Sequence, residues 1–310
     1  MKFTAIRPSL LIVLAAQLSF TCTFGHAEAH CPAGIPDLHP RVVAGALLVI
    51  PVMVNGSGPY DFMVDTGSQL NILDPSLAAT LHLEPKAHIG LITTANIKQA
   101  SVAVIDLLQA GPYAVQHPFV AVQDLGMLQA ADPRIRGVLG ENFIGHFDLL
   151  IDYRRKLLCL DQGGAIEKDL RWERIPFVTS SRTDPDVPFS ERLVIAVKLS
   201  DTGARPILLQ IDSGSDGPIL FAGNKELEKA LLRKATLQGP EVGEARRAFA
   251  VLPPQDVKLG NQTLHRVPFV TPSSASMSSS DREEDGVLAT VLFDRVYISH
   301  SNRYISFDLR

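Results

Sequence analysis

Residues 62–68 read Phe62-Met63-Val64-Asp65-Thr66-Gly67-Ser68, and residues 208–215 read Leu208-Leu209-Gln210-Ile211-Asp212-Ser213-Gly214-Ser215. Each begins as a short apolar run, the pattern of a buried strand. Each then gives a carboxylate, a hydroxyl, a glycine and a second hydroxyl. Gly67 and Gly214 allow a tight turn directly after the carboxylate. The step from Asp65 to Asp212 is 147 residues.

Other landmarks repeat at nearly the same step. Pro118-Phe119-Val120 returns as Pro268-Phe269-Val270 after 150 residues, and Gly137-Val138-Leu139 returns as Gly286-Val287-Leu288 after 149. The stretch from Ile151 to Asp161 lines up with Ile298 to Asp308, again after 147. A near-constant step across four landmarks marks an internal duplication. The expected fold is all-β: two similar β-barrel-like lobes with short helices, related by pseudo-twofold symmetry. Residues 1–29 form a separate leader, 30–161 the first lobe, 162–190 a polar linker and 191–310 the second lobe.

Within lobe one, Leu47 to Val54 and Tyr60 to Asp65 read as strands joined by Asn55-Gly56-Ser57-Gly58, residues that tolerate positive φ. Asp74 caps a helix running to about Leu83, with Pro75 in its first turn. Further strands are expected at Ile89 to Thr93, Val102 to Leu107 and Phe119 to Val122, and a short helix at Glu141 to Gly145. In lobe two the strands are Leu193 to Leu199, Pro206 to Asp212, Ala248 to Leu252 and Val267 to Thr271. Asn224 to Ala235 reads as a helix, and Ser273 to Asp285 as a Ser-rich acidic loop.

The N-terminus has the form of a secretory signal: Lys2 and Arg7, an apolar stretch from Ser9 to Phe20, and Ala27-Glu28-Ala29 as a cleavage site. The alternative is a short membrane anchor. Cys22 lacks a lipoprotein-like context. Removal of the leader leaves Cys31 and Cys159, a candidate disulfide in an oxidising compartment or else two buried thiols.

The net charge of −4 and the single Trp argue against nucleic acid as a partner. No H-E-x-x-H or G-x-S-x-G occurs. The nine His are scattered, and Asp152 and Asp161 read as hairpin polarity. Asp201-Thr202-Gly203 repeats the Asp-Thr-Gly spelling but follows Leu199-Ser200, with no apolar strand ending at the Asp, so it reads as a turn. A lone Asp-[Thr/Ser]-Gly arises in roughly one chain in seven of this length, so the strand context and the repeat carry the signal.

Two carboxylates brought within about 3 Å cannot both ionise, and one proton is shared between them. Such a pair holds a water, takes its proton as it attacks a peptide carbonyl, and donates the other proton to the carbonyl oxygen. The hydroxyls of Thr66 and Ser213 are placed to bond the opposite lobe. Those of Ser68 and Ser215 are expected on the carboxylates.

At these residues the chain resembles the pepsin–retropepsin superfamily of aspartic peptidases, and more closely its bacterial exported bilobed members. The resemblance covers nearly all of the mature chain. It implies that Asp65 and Asp212 are the catalytic pair and that Val138-Leu139-Gly140 is the family's hydrophobic-hydrophobic-Gly element. It implies a secreted or periplasmic monomeric endopeptidase that acts on peptide or protein substrates, needs no cofactor or metal, and has no membrane contact after signal cleavage. Three departures stand out: Ala289 where lobe one has Gly140, Ser213 in place of Thr, and no Tyr in the flap expected at Ile89 to Lys98. They motivate two rivals, a catalytically silent peptide- or protein-binding module of the cell envelope and a purely structural envelope protein.

Overall fold

The computed structural model describes residues 29–92, 97–178, 189–203, 205–221, 249–272 and 283–309, with Leu227, Lys229 and Leu231 between them. The expected leader, the tip of the expected flap, most of the helix at 224–235 and most of the Ser-rich loop lie outside the described residues.

The architecture is all-β. In lobe one the strand Leu47–Val54 turns back as Ser57–Val64 through Asn55 and Gly56, whose φ values are 50° and 76°. Asn55 also fixes a neighbouring turn, its Oδ1 accepting the N–H groups of Asp106 and Leu107 at 2.9 and 3.0 Å. The chain passes through the Asp65 turn into Asn71–Leu73. The strand Ile135–Leu139 then lies parallel to Ser57–Val64 and antiparallel to Asn71–Leu73. Lobe two repeats this: Gly286–Ala289 lies parallel to Ile207–Asp212 and antiparallel to Ile219–Leu220.

The crossing explains a glycine in each lobe. A Cβ on Gly137 would meet the Ile72 carbonyl at 2.7 Å and the Phe62 ring at 2.4 Å. A Cβ on Gly286 would meet the Ile219 carbonyl at 2.2 Å and a Leu209 methyl at 3.1 Å. Ile219 and Leu209 stand at the repeat positions of Ile72 and Phe62. The strand faces at the crossing are apolar and closed: Phe62, Val64, Leu209 and Ile211 are all fully buried. Each such side chain contributes about 1.5–3 kcal/mol relative to exposure.

A six-stranded sheet joins the lobes. The hairpin Asp148–Asp152/Leu157–Asp161 pairs with its repeat, Arg295–Ser299/Tyr304–Asp308, through Leu149 opposite Ile298 and Ile151 opposite Val296. Two segments in which no strand was expected also take part in this sheet. The N-terminal arm contributes Asp37–Leu38, paired with Leu158 and Cys159, and then adds Arg41–Val43 to the lobe-one sheet beside Leu47–Val54. The linker holds a helix, Ala165–Asp169, and a strand, Ile175–Pro176, paired with Ile305 and Tyr304. That helix begins where Asp161 accepts the N–H groups of Gly163 and Ile166, both at 2.8 Å. Polar composition concealed these elements because their apolar positions are few: Cys31 of the arm and Ile166 of the linker pack in one small cluster with Leu150, Leu157, Cys159, Tyr297 and Tyr304.

The structure bonds Cys31 to Cys159, with Cα atoms 5.8 Å apart across 128 residues of sequence. In the chain-entropy account a loop of that size stabilises the fold by about 4–5 kcal/mol.

The Asp74 helix is shorter than expected, spanning Pro75–Thr80, with Asp74 accepting from the N–H groups of Ser76 and Leu77. A helix at Gly126–Ala131 and a hairpin at Gln255–Leu259/Gln262–Val267 were not foreseen. Asp201-Thr202-Gly203 sits in a turn, where the Thr202 hydroxyl donates to the Leu199 carbonyl at 3.1 Å. Among the described residues no helix is long and apolar enough to cross a membrane.

Candidate active site

Two strands deliver the carboxylates. Ser57–Val64 ends immediately before Asp65, whose N–H donates to the Leu139 carbonyl at 3.0 Å. Ile207–Asp212 ends on Asp212, in parallel register with Ala289. The turns after them face each other across the lobe boundary. A Cβ built on Gly67 would lie 2.6 Å from the Asp212 carboxyl carbon, and one on Gly214 would lie 2.5 Å from that of Asp65. Each turn therefore needs glycine because the opposite carboxyl occupies the space a side chain would take. The two carboxyls lie close enough to perturb each other's ionisation.

A reciprocal set of bonds fixes this approach. The Thr66 hydroxyl donates to the Ile211 carbonyl at 3.2 Å and accepts from the Ser213 N–H at 3.0 Å. The Ser213 hydroxyl donates to the Val64 carbonyl at 2.9 Å and accepts from the Thr66 N–H at 3.1 Å. Thr66 and Ser213 are both buried, so all four bonds are shielded from water. Ser213 makes the same two contacts as Thr66 without the methyl group.

Ser68 and Ser215 do not bond the carboxylates. Their hydroxyls donate to the carbonyls of Leu70 and Gly217, at 2.7 and 2.6 Å, and so stiffen their own turns. Backbone donors take the expected place. The Gly67 N–H reaches Asp65 Oδ1 at 2.8 Å, and the Gly214 N–H reaches Asp212 Oδ1 at 2.6 Å. A turn that curls around a carboxylate aims its N–H groups inward, which leaves the hydroxyls for the outer carbonyls.

Burial, followed by the negative charge of Asp212, pushes Asp65 well above the ordinary carboxylate range. Burial raises Asp212 too, but the Asp65 carboxyl and the N–H groups of Gly214 and Ser215 stabilise its ionised form. One proton is therefore shared between the two carboxyls, which titrate as a pair.

Val138, Leu139 and Gly140 lie directly behind the Asp65 turn. The Gly140 N–H donates to Asn71 Oδ1 at 2.9 Å, and the Glu141 N–H donates to the Ser68 carbonyl at 2.8 Å. A Cβ on Gly140 would meet the Leu70 carbonyl oxygen at 2.2 Å. In lobe two that pressure is relieved: Ala289 is fully buried in regular pairing with Asp212.

The reading of the sequence missed Gln210, Asn71 and Glu141. Gln210 was legible as a polar residue inside the apolar run Ile207-Leu208-Leu209-Gln210-Ile211. It donates from Nε2 to the Gly67 carbonyl at 2.9 Å. Glu141, buried on the helix Glu141–Ile144, faces His300 of lobe two at 2.9 Å. The strands Ala87–Ile92 and Ile97–Val104 pair antiparallel over the stretch where the flap is expected. A separate cavity of about 500 Å³ lies between the lobes, lined in part by His117, Phe119, Glu141, Phe177 and His300 and not by either Asp of the pair. Among the described residues no cluster of three or more His, Cys, Asp or Glu is arranged to hold a metal ion.

Residues 50–143 match the model of a family described as Aspartyl protease. The match runs from within the strand Leu47–Val54 to the helix Glu141–Ile144 and stops short of the second turn. Among solved structures, the chain is similar to a retropepsin-like aspartic protease from Rickettsia conorii, with 22% identity over 41% of this chain and 90% of that chain and a TM-score of 0.31. No curated protein matches the sequence.

Proposed function

We propose that the chain is an aspartic endopeptidase of the bilobed, exported kind, with Asp65 and Asp212 as its catalytic pair. The observation that supports this most is the mutual approach of the two turns, each glycine lying against the opposite carboxyl. Two carboxyls held together this way share one proton, which is the state that hydrolysis of an amide by acid–base catalysis requires.

In this reading a water sits between the carboxyls. Asp212 takes its proton as the oxygen attacks the scissile carbonyl carbon, and Asp65 gives its proton to the carbonyl oxygen. Asp212, now protonated, delivers that proton to the amine as the C–N bond breaks, while Asp65 takes a proton back from a hydroxyl of the intermediate, which leaves as the carboxylic acid. Preorganised turns keep the two carboxyls from reorienting during these steps. The peptide lies extended between the lobes beneath the hairpin Ala87–Ile92/Ile97–Val104 and adds main-chain hydrogen bonds to it. Both halves of the site come from one chain, so a monomer is complete. The leader directs the chain out of the cytoplasm, where the Cys31–Cys159 bond persists.

The test is cleavage of a peptide library by the mature chain from about pH 3 to 8, beside Asp65→Asn and Asp212→Asn. Cleavage is expected in the unmutated chain and lost in both variants, with folding intact by circular dichroism. A chain that cleaves nothing across that range would be a binding module instead. Cleavage that survives in the Asp212 variant would exclude the pair.

A further inference from the structure

Ile207–Asp212 is an apolar strand interrupted by one amide. Ile207, Leu209 and Ile211 are fully buried, and Gln210 retains only 7% of its exposure. An amide withdrawn from water needs a partner. Gln210 finds one in the other lobe, the carbonyl oxygen of Gly67 at 2.9 Å. The same strand ends two residues later in Asp212, so it supplies one carboxyl and holds the turn of the other.

Gly67 is the residue through which such a hold acts on chemistry. Its N–H lies on Asp65 Oδ1 at 2.8 Å, and its Cα face packs on the Asp212 carboxyl. Two residues on, the turn is held from a second direction. Gln69 Nε2 donates to the Ser190 carbonyl at 2.6 Å, while its Oε1 accepts from Arg192 Nε at 3.2 Å. Arg192 is in turn fixed by both oxygens of the buried Glu284, at 2.8 and 2.7 Å. Lobe one offers no like contact from the register counterpart of Gln210. That residue is Met63, which packs with Val43, Leu47, Val49, Ile135 and Val138.

We propose that Gln210 is a positioning residue: its bond to the Gly67 carbonyl fixes the Asp65 turn against Asp212 and thereby sets how the pair shares its proton. The proposal rests on the peptidase reading for its kinetic consequence and on the turn geometry alone for its effect on the carboxyls. Removing the bond frees Gly67 to rotate, and its N–H then stabilises ionised Asp65 less. Asp65 keeps its proton to higher pH, and the pair spends less time in its productive geometry.

The experiment uses the full mature chain with Gln210→Met, which keeps side-chain length and copies the residue lobe one carries, and Gln210→Glu. Both kcat and KM are measured against pH on a peptide that the unmutated chain cleaves. A parallel carboxyl 13C titration follows the two Asp side chains. Gln210→Met is expected to lower kcat by roughly ten- to a hundredfold with KM little changed, and to move the alkaline limb of kcat to higher pH. Gln210→Glu is expected to retain activity on the acid side, where its protonated carboxyl donates to Gly67, and to fail as it ionises against that carbonyl. Unchanged kcat and an unmoved limb in Gln210→Met would overturn the proposal. So would a uniform fall in rate at every pH, the mark of fewer folded molecules. If the unmutated chain cleaves no peptide, the carboxyl titration decides: a midpoint raised in Gln210→Met upholds the positioning role while the peptidase reading falls, and an unmoved midpoint removes both.

Discussion

The Asp65 turn and the Asp212 turn carry the same sequence of groups and are built into different surroundings. What they share is what two facing carboxyls require twice. Each has a glycine against the opposite carboxyl, a hydroxyl in the cross-lobe set, and a second hydroxyl tied to its own turn two residues on. What differs lies one layer out. Behind Asp65 stand Leu70, Asn71 and Gly140; at the repeat positions behind Asp212 stand Gly217, Pro218 and Ala289. Asn71 accepts from the Gly140 N–H and donates its own N–H to Asn142 Oδ1 at 2.6 Å, whereas Pro218 has no N–H to give. The atoms that touch the carboxyls match in the two turns, while their supports differ. The Asp65 turn is the more heavily braced, and among the described residues the bond from Gln210 has no counterpart from Met63.

The shared part predicts equal damage on the two sides. Thr66→Val leaves the Ile211 carbonyl and the Ser213 N–H without partners in a buried site, and Ser213→Ala does the same to the Val64 carbonyl and the Thr66 N–H. Each substitution is expected to cost about 4 kcal/mol, from two orphaned groups at about 1–3 kcal/mol apiece plus the lost bonds. Urea unfolding of both variants measures this. A loss confined to one of them would mean that the reciprocal bonds do not act as a unit.

The divergent part predicts unequal damage at matched positions. Gly140→Ala forces a methyl to within 2.2 Å of a backbone oxygen that cannot move without disturbing Ser68. It is expected to cost about 3 kcal/mol and to lower activity through the displaced Asp65 turn. Ala289→Gly adds only backbone freedom to a position that already fits, costing about 1 kcal/mol. Similar losses in the two variants would erase the distinction between the supports.

Much of this was legible in the residues. Apolar strands ending at Asp65 and Asp212 gave the fold class, and the regular step between landmarks gave the two lobes, because duplication writes itself into spacing. Gly137 and Gly286 could be aligned before the strand crossing that requires them was known. Ser68 and Ser215 were misjudged because a hydroxyl beside a carboxylate in sequence says nothing about which way the turn curls. The strands of the arm and the linker were not foreseen because strands of two residues, such as Asp37–Leu38 and Ile175–Pro176, carry no periodicity. The partners of Gln210 and Glu141 lie 143 and 159 residues away, and no local pattern encodes contacts of that kind.

The smallest expected effect concerns the lobe boundary at the other end of the Asp65 support. His300, from the turn between Arg295–Ser299 and Tyr304–Asp308, sets Nδ1 on the Phe147 carbonyl at 2.5 Å and Nε2 on Glu141 Oε2 at 2.9 Å. The carbonyl can only accept, so Nδ1 carries a hydrogen, and a hydrogen on Nε2 as well makes the ring a cation facing a carboxylate. Burial works against that charge, but Glu141 and the Phe147 carbonyl outweigh it, with Asp148 adding to the attraction, and the ring's pKa lies above its ordinary value. A cation with a raised pKa in the folded state adds stability that is complete below its unfolded value, about 6.5, and is lost as pH rises through the folded value. His300→Gln keeps a donor toward Glu141 and cannot titrate. Its stability deficit against the unmutated chain is therefore expected to be widest on the acid side of about pH 6.5 and to narrow above it. Thermal unfolding across that range measures the gap. A gap of constant width would mean that His300 contributes packing alone, and the lobe boundary would then be held without a titrating contact.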